Sequence, residues 1–174
     1  MQMSDTREIQ TAPADVYAAL LDPEVLKACV PGAQEVTGNP SDGYEATVVQ
    51  KVGPVKATFK GTVTMSDMVE GQHLTIAGEG KGGAAGFAKG GATVTFAPSD
   101  SGGTVLSYDV EAKVGGKLAQ LGSRLIDGFA KKMADQFFAN LQEHFEGPVQ
   151  PDEGADPDAE PEKKGWLGRL TGRD

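Results

Sequence analysis

The 174 residues predict an α+β fold in which a curved antiparallel sheet wraps around one long C-terminal helix. Two observations carry that expectation. Between about residues 43 and 114, apolar and polar side chains alternate with period two in five successive segments. From 117 to 146 the period lengthens to three and four. Leu118, Leu121, Leu125, Phe129, Met133, Phe137, Leu141 and Phe145 then form one apolar stripe, flanked by Ile126, Ala130 and Phe138. A helix of that length measures ~45 Å, and only a broad, curved sheet could cover its stripe.

In chain order, residues 3–11 read as a strand. Thr11-Ala12-Pro13-Ala14-Asp15 opens a helix, with Thr11 as N-cap, proline in the first turn and an apolar face of Val16, Tyr17, Leu20 and Leu21. Asp22-Pro23 starts a second short helix that turns Val25, Leu26 and Cys29 inward, and Pro31-Gly32 stops it. The alternating segments follow. Near 43–53, Tyr44, Ala46, Val48 and Val52 share a face on which Gln50 is the exception. Near 55–65, Val55, Ala57, Phe59, Val63 and Met65 oppose Lys56, Thr58, Lys60, Thr62 and Thr64. Near 72–80, Leu74 and Ile76 oppose His73, Thr75 and Glu79. Near 90–97, Ala92, Val94 and Phe96 oppose Thr93 and Thr95. Near 104–114, Leu106, Tyr108, Val110, Ala112 and Val114 oppose Ser107, Asp109, Glu111 and Lys113. Repeated alternation of this kind makes a sheet with one wet and one dry face.

Composition and charge bound the function. With 39% hydrophobic and 24% charged residues a folded body is expected. A net charge of −9 argues against a duplex nucleic-acid surface. A single cysteine, Cys29, excludes an internal disulfide and reads as a buried thiol. No apolar run is long enough to span a bilayer, and the polar start MQMSDTREIQ has no signal-peptide character, so the cytoplasm is the expected compartment. The charge divides the chain into three parts. Residues 1–147 form the body. Residues 148–162 hold six acids, no bases and four prolines, the composition of an extended linker. Residues 163–174 are basic and apolar. Lys163, Lys164 and Arg169 lie beside Trp166, Leu167 and Leu170, a set suited to contact with an anionic bilayer surface.

The dry face bears on function. Ala57, Gly61, Gly78, Gly90, Ala92 and Ala112 are small, whereas Phe59, Met65, Phe96, Tyr108, Phe129 and Met133 are large. Either these residues pack together as a filled core, or the small ones leave a cavity walled by the large ones. Other chemistry is sparse. The glycine run 78–86 lacks P-loop spacing and reads as a hairpin connection or a mobile lip. His73 and His144 have no paired-ligand spacing, so no metal site is expected. Arg124 is either a rim arginine or a polar contact near the cavity.

Three segments carry a resemblance to a known family. They are Leu26-Lys27-Ala28-Cys29-Val30-Pro31-Gly32, the stretch from Val52 to Gly61 (VGPVKATFKG) and the stretch from Gly115 to Ile126 (GGKLAQLGSRLI). Residues 3–147 resemble the START-like (SRPBCC) superfamily, and within it the family of the carbon monoxide dehydrogenase G subunit. The resemblance implies a helix-grip (START/Bet v 1-like) fold with a deep apolar pocket, and an accessory protein of a molybdenum CO dehydrogenase or a related molybdenum hydroxylase. It also implies a respiratory quinone, menaquinone or ubiquinone, as ligand, and a place on the cytoplasmic face of the inner membrane. On that reading the pocket walls are Phe59, Val63, Met65, Leu74, Phe96 and Tyr108 from the sheet, with Leu121, Leu125, Phe129 and Met133 from the helix. The expected protein is a non-catalytic carrier. The rivals are a membrane-anchoring scaffold without ligand and a cyclase or hydrolase, for which Tyr108 and Gln50 are the inward polar candidates.

Overall fold

A computed structural model describes residues 1–146; the linker and the tip, with Lys163, Lys164, Trp166, Leu167, Arg169 and Leu170, lie outside the described residues. The chain divides into two compact units, Met1–Gln142 and Glu143–Asp174. Of the second, only the end of the final helix, Glu143–Glu146, is described.

Strand β1 (Gln2–Ile9) leads into two short helices, α1 (Pro13–Leu20) and α2 (Pro23–Cys29). Proline opens each of them, where a missing N–H costs nothing. Ala12 occupies the N-cap of α1 and gives no side-chain hydrogen bond, so the expected Thr11 cap is not formed. Thr11 is used differently: its carbonyl accepts a hydrogen bond from the hydroxyl of the fully buried Thr104 at 2.6 Å. Asp22 does cap α2, accepting from the Glu24 amide at 2.9 Å.

Six strands then run as a meander: β2 (Ala33–Asn39), β3 (Gly43–Val52), β4 (Val55–Val69), β5 (His73–Lys81), β6 (Phe87–Pro98) and β7 (Thr104–Gly115). All pairings are antiparallel, and the order is β1-β7-β6-β5-β4-β3-β2, so only β1 is out of sequence. Five of these strands are the alternating segments of the sequence; β2, with a register irregularity between Ala33 and Glu35, is additional. A 3-10 turn (Gly83–Ala85) joins β5 to β6.

The single helix expected over 117–146 is two. A short α3 (Lys117–Gln120) is separated from α4 (Ser123–Glu146) by Leu121 and Gly122. Gly122 has φ +92°, which ends one helix before the next begins and which glycine adopts without steric cost. The 24 residues of α4 give a length of about 36 Å.

The register sorts the sheet's side chains as the alternation predicts. The inner face is closed at both ends. At the end holding the β3–β4 turn, Val52, Leu118 and Ile126 are buried, with Val55, Phe59, Val114, Leu121 and Phe129 packed around them. At the opposite end, Ile9, Val16, Tyr17, Leu20, Leu74, Phe96, Leu106 and Leu141 are buried. The rings of Tyr17 and Phe96 meet edge to face, 5.7 Å apart. The Tyr44 hydroxyl donates to the Leu21 carbonyl at 2.6 Å, tying β3 to the end of α1.

Candidate functional site

Between the closed ends, the inner face changes character. Two adjacent cross-strand rows run Val114-Ala88-Gly80-Gly61-Ala46 and Ala112-Gly90-Gly78-Val63-Tyr44. Seven of these ten residues are glycine or alanine, so little side chain stands on the sheet there. Backbone approach explains the glycines physically: a Cβ on Gly90 would fall 2.1 Å from the Glu111 carbonyl oxygen, and one on Gly61 would fall 2.6 Å from that of Glu79. These are places where a curved sheet has no room for a side chain. The next row, Val110-Ala92-Ile76-Met65, is apolar.

The burial of this middle band differs from that of the ends. Val63, Met65, Ile76, Ala92, Val110 and Ala112 are only half-buried, and so are Phe129, Met133 and Phe137 of α4. Apolar side chains that are neither sealed nor surface-exposed form a band of greasy surface that solvent still reaches, where a filled core would hide them.

The ten residues expected as pocket walls distribute as follows. Leu74, Phe96 and Tyr108 are buried in the far closed end. Phe59 and Leu121 are half-buried in the near end, around the Val52 cluster. Val63, Met65 and Met133 belong to the middle band, and Phe129 joins it to the near cluster. Leu125 is 39% exposed and lies over Gly53, where its Cδ2 would be 2.7 Å from a Cβ; its neighbour Ile126 is the buried one.

One polar group reaches the inner side without having been expected there. Arg7 of β1 stands opposite Leu106 in the register. Its Nη2 donates to the Tyr108 hydroxyl at 3.2 Å and to Asp135 Oδ1 of α4 at 2.6 Å. Its guanidinium lies 5.1 Å from the Phe138 ring centroid, and Phe138 stacks on Tyr108 at 5.4 Å. Its buried Nε has no hydrogen-bond partner among the described residues. Burial alone would lower the Arg7 pKa, but the bonds to Asp135 and Tyr108 outweigh it and raise it. The set clamps α4 to the edge strand. Gln50, expected as an inward polar candidate, donates to the Pro31 carbonyl and so anchors the α2–β2 connection.

The Arg7 hydrogen bond, then that of Lys131, holds the Asp135 carboxyl below its ordinary pKa. A carboxylate with a depressed folded pKa contributes stability above its unfolded value and loses that contribution as pH falls through the folded one. Asp135→Asn is therefore expected to lower the melting temperature at neutral pH, and the gap from the parent should close below the ordinary carboxylate range. Thermal melts from pH 7 to pH 2 measure this; a gap constant with pH would contradict the clamp.

Cys29 is fully buried, and desolvation pushes its thiol up to about 11. Its backbone carbonyl accepts from the Asn140 side chain at 2.8 Å, a second tie between α4 and the short helices. The thiol is expected to resist a disulfide reagent at pH 8 in the folded protein and to react within seconds in denaturant. Rapid labelling of the folded chain would show that this end opens.

Among the described residues, no three His, Cys, Asp or Glu side chains are placed to share a metal ion, and no helix is long and apolar enough to cross a membrane. His73 Nδ1 lies 2.9 Å from the Asp67 carbonyl; His144 and Arg124 are exposed.

A long helix held by a curved seven-stranded antiparallel sheet, with two short helices after the first strand, is the START-like helix-grip architecture. Solved structures agree. A conserved protein from Geobacillus kaustophilus is 26% identical, with 84% of this chain and 95% of that one covered and a TM-score of 0.78. A START superfamily protein from Mycobacterium smegmatis is 14% identical over 83% and 97%, with a TM-score of 0.63. A protein from Chromobacterium violaceum is 20% identical over 84% and 98%, also at 0.63. No curated protein is significantly similar to the chain. The family model of the carbon monoxide dehydrogenase G subunit (CoxG) matches residues 6–146, and the chain belongs to that family.

Proposed function

We propose that this accessory protein holds an isoprenoid quinone against the middle band of its inner face, and that it links a CO dehydrogenase, or a related molybdenum hydroxylase, to the cytoplasmic membrane. The observation that carries the ligand is the half-buried apolar band, lying between two ends that are closed by their own side chains. Its floor of glycine and alanine offers area without specific contacts, which suits a repetitive hydrocarbon tail. Covering apolar surface gains ~25 cal/mol/Å², so each methylene of a prenyl chain adds about 0.8 kcal/mol. The family supports the partner, and the basic, tryptophan-bearing residues 163–174 support the membrane link.

The test is mass spectrometry of organic extracts from the full-length protein, purified after expression in a quinone-containing host. Recovery of menaquinone or ubiquinone at near-stoichiometric levels is the expected result. Extracts that hold no more quinone than those of an unrelated soluble protein would overturn the ligand and leave a membrane-anchoring scaffold.

A further inference from the structure

The acids of this chain avoid one end of the fold. Three runs contain no Asp or Glu: 46–66, 80–99 and 112–126. Together they hold eight of the chain's 16 Lys and Arg, although the chain as a whole carries −9. The topology brings the three runs together. The β3–β4 turn, the β5–β6 connection and the β7–α3 connection all lie at the end of the sheet where Val52 is buried. A Cβ on Gly116 would sit 2.6 Å from the Gly86 Cα, so two of these connections touch.

The register then sets lysines directly opposite one another on the outer face. Lys51 faces Lys56, Lys60 faces Lys81, and Lys89 faces Lys113. Like charges directly opposed across a ladder destabilise a sheet. All six are exposed, and among the described residues their one ion pair is a long contact of 3.9 Å from Lys81 to Glu79. Lys89 also faces Glu79 on its other side, but among the described residues the Lys51–Lys56 and Lys60–Lys81 pairs have no acid directly opposite them; an anionic partner would offset them.

Among the described residues, two of the four exposed large hydrophobic residues are at the same end. Phe87 is 40% exposed, pairs with Lys81 in the register and lies two residues from Lys89. Leu125 is 39% exposed and follows Arg124. The loop before Phe87, Gly82-Gly83-Ala84-Ala85-Gly86, is small and uncharged. Phe87 opens β6 and lays its ring against Gly115 of β7. A partly exposed ring beside a neutral loop, with lysines around it, has the chemistry of the bilayer interface: the ring meets the headgroup layer while the ammonium groups meet the lipid phosphates. An acidic protein surface would satisfy the lysines but leave the exposed ring without a role.

We infer that this end of the body docks on an anionic lipid surface, with the Phe87 ring meeting the headgroup layer and the paired lysines as the electrostatic ring. The docking is a property of the body. It depends neither on residues 163–174 nor on a bound quinone, and its test separates it from both.

The full-length chain carrying Trp166→Phe and Phe87→Trp has its sole indole at position 87. Vesicles of phosphatidylglycerol and phosphatidylcholine at roughly 1:3, with brominated acyl chains, are expected to shift its emission to the blue and quench it. The same chain with Trp166→Phe and Met68→Trp, probing the opposite end of the sheet, should be neither shifted nor quenched. In the otherwise native chain, Lys81→Gln with Lys89→Gln and Lys113→Gln should weaken partitioning onto these vesicles by on the order of 100-fold, about five-fold per lysine. Neutral vesicles should not distinguish this variant from the parent. An indole at 87 that stays unquenched on vesicle-bound protein overturns the proposal, as does equal quenching at 87 and 68 or partitioning indifferent to the three lysines. Loss of an acidic protein partner on lysine substitution, with no quenching at 87, would reassign the face to that partner.

Discussion

Leu141→Ala is expected to lower the unfolding free energy by about 2–5 kcal/mol, the range for a buried leucine truncated where its surroundings relax only in part. Leu141 is completely buried, one of only two buried residues on α4. It lies next to Asn140, whose side chain bonds the Cys29 carbonyl. Most of the apolar stripe before it is half-buried, so α4 is secured at its two ends by Ile126 and Leu141 more than along its length. A cavity at Leu141 therefore loosens the helix as well as removing transfer energy. Urea titration followed by circular dichroism measures the loss. An equal-sized deletion in the middle, Met133→Ala, should cost less than half as much, because Met133 has less burial to lose. If Met133→Ala proved the more destabilising, the middle band would be an ordinary packed core.

Ala92→Phe is expected to leave the fold intact and reduce co-purified quinone by at least ~10-fold, equivalent to about 1.4 kcal/mol of binding free energy. Ala92 sits on β6 between Ile76 and Val110, half-buried in the middle band. A benzyl group there occupies the volume assigned to the ligand. In a filled core the same change would be overpacking, which costs about 1–3 kcal/mol of stability. The pair of measurements decides between the two: ligand lost with stability kept supports a binding space, and stability lost with no ligand at stake supports a filled core. Quinone content by extraction and the melting temperature of the same preparation provide both readings.

The sheet was legible because its signal is local. Strands β3 to β7 each place one face against the protein and one against water, and the alternation of Val63 with Thr62 and Thr64 records that directly. Strand β2 was not legible: as an edge strand it buries only Val36, so its sequence AQEVTGN carries no period. The break between α3 and α4 was hidden because Leu118, Leu121 and Leu125 keep helical spacing across Gly122, whose φ is a backbone property. The same break rotates the face, so that Ile126 goes inward and Leu125 outward. Of the ten expected wall residues, Val63, Met65, Phe129 and Met133 are half-buried, Phe59 and Leu121 pack around the Val52 cluster, and Leu74, Phe96 and Tyr108 are buried at the opposite end. Arg7 was missed because its partners, Tyr108 and Asp135, lie 101 and 128 residues away. A charge at an inward position among Met3, Arg7 and Ile9 was the trace it left.

The rims of the sheet have a consequence for how the protein behaves when crowded. Among the described residues, the borders with no neighbouring strand are β1 and β2, each with a row of backbone donors and acceptors that another chain could extend into a fibril. Both are blunted. Along β1, Asp5, Arg7 and Glu8 place charge on the border, and Asp5 occupies the Thr6 amide with its own carboxylate at 2.8 Å. Along β2 the irregularity at Ala33–Glu35 and the positive φ of Gly38 spoil the flatness that stacking requires. Edge-to-edge pairing of one molecule with the next is therefore opposed at both borders, and the protein is expected to stay dispersed at high concentration.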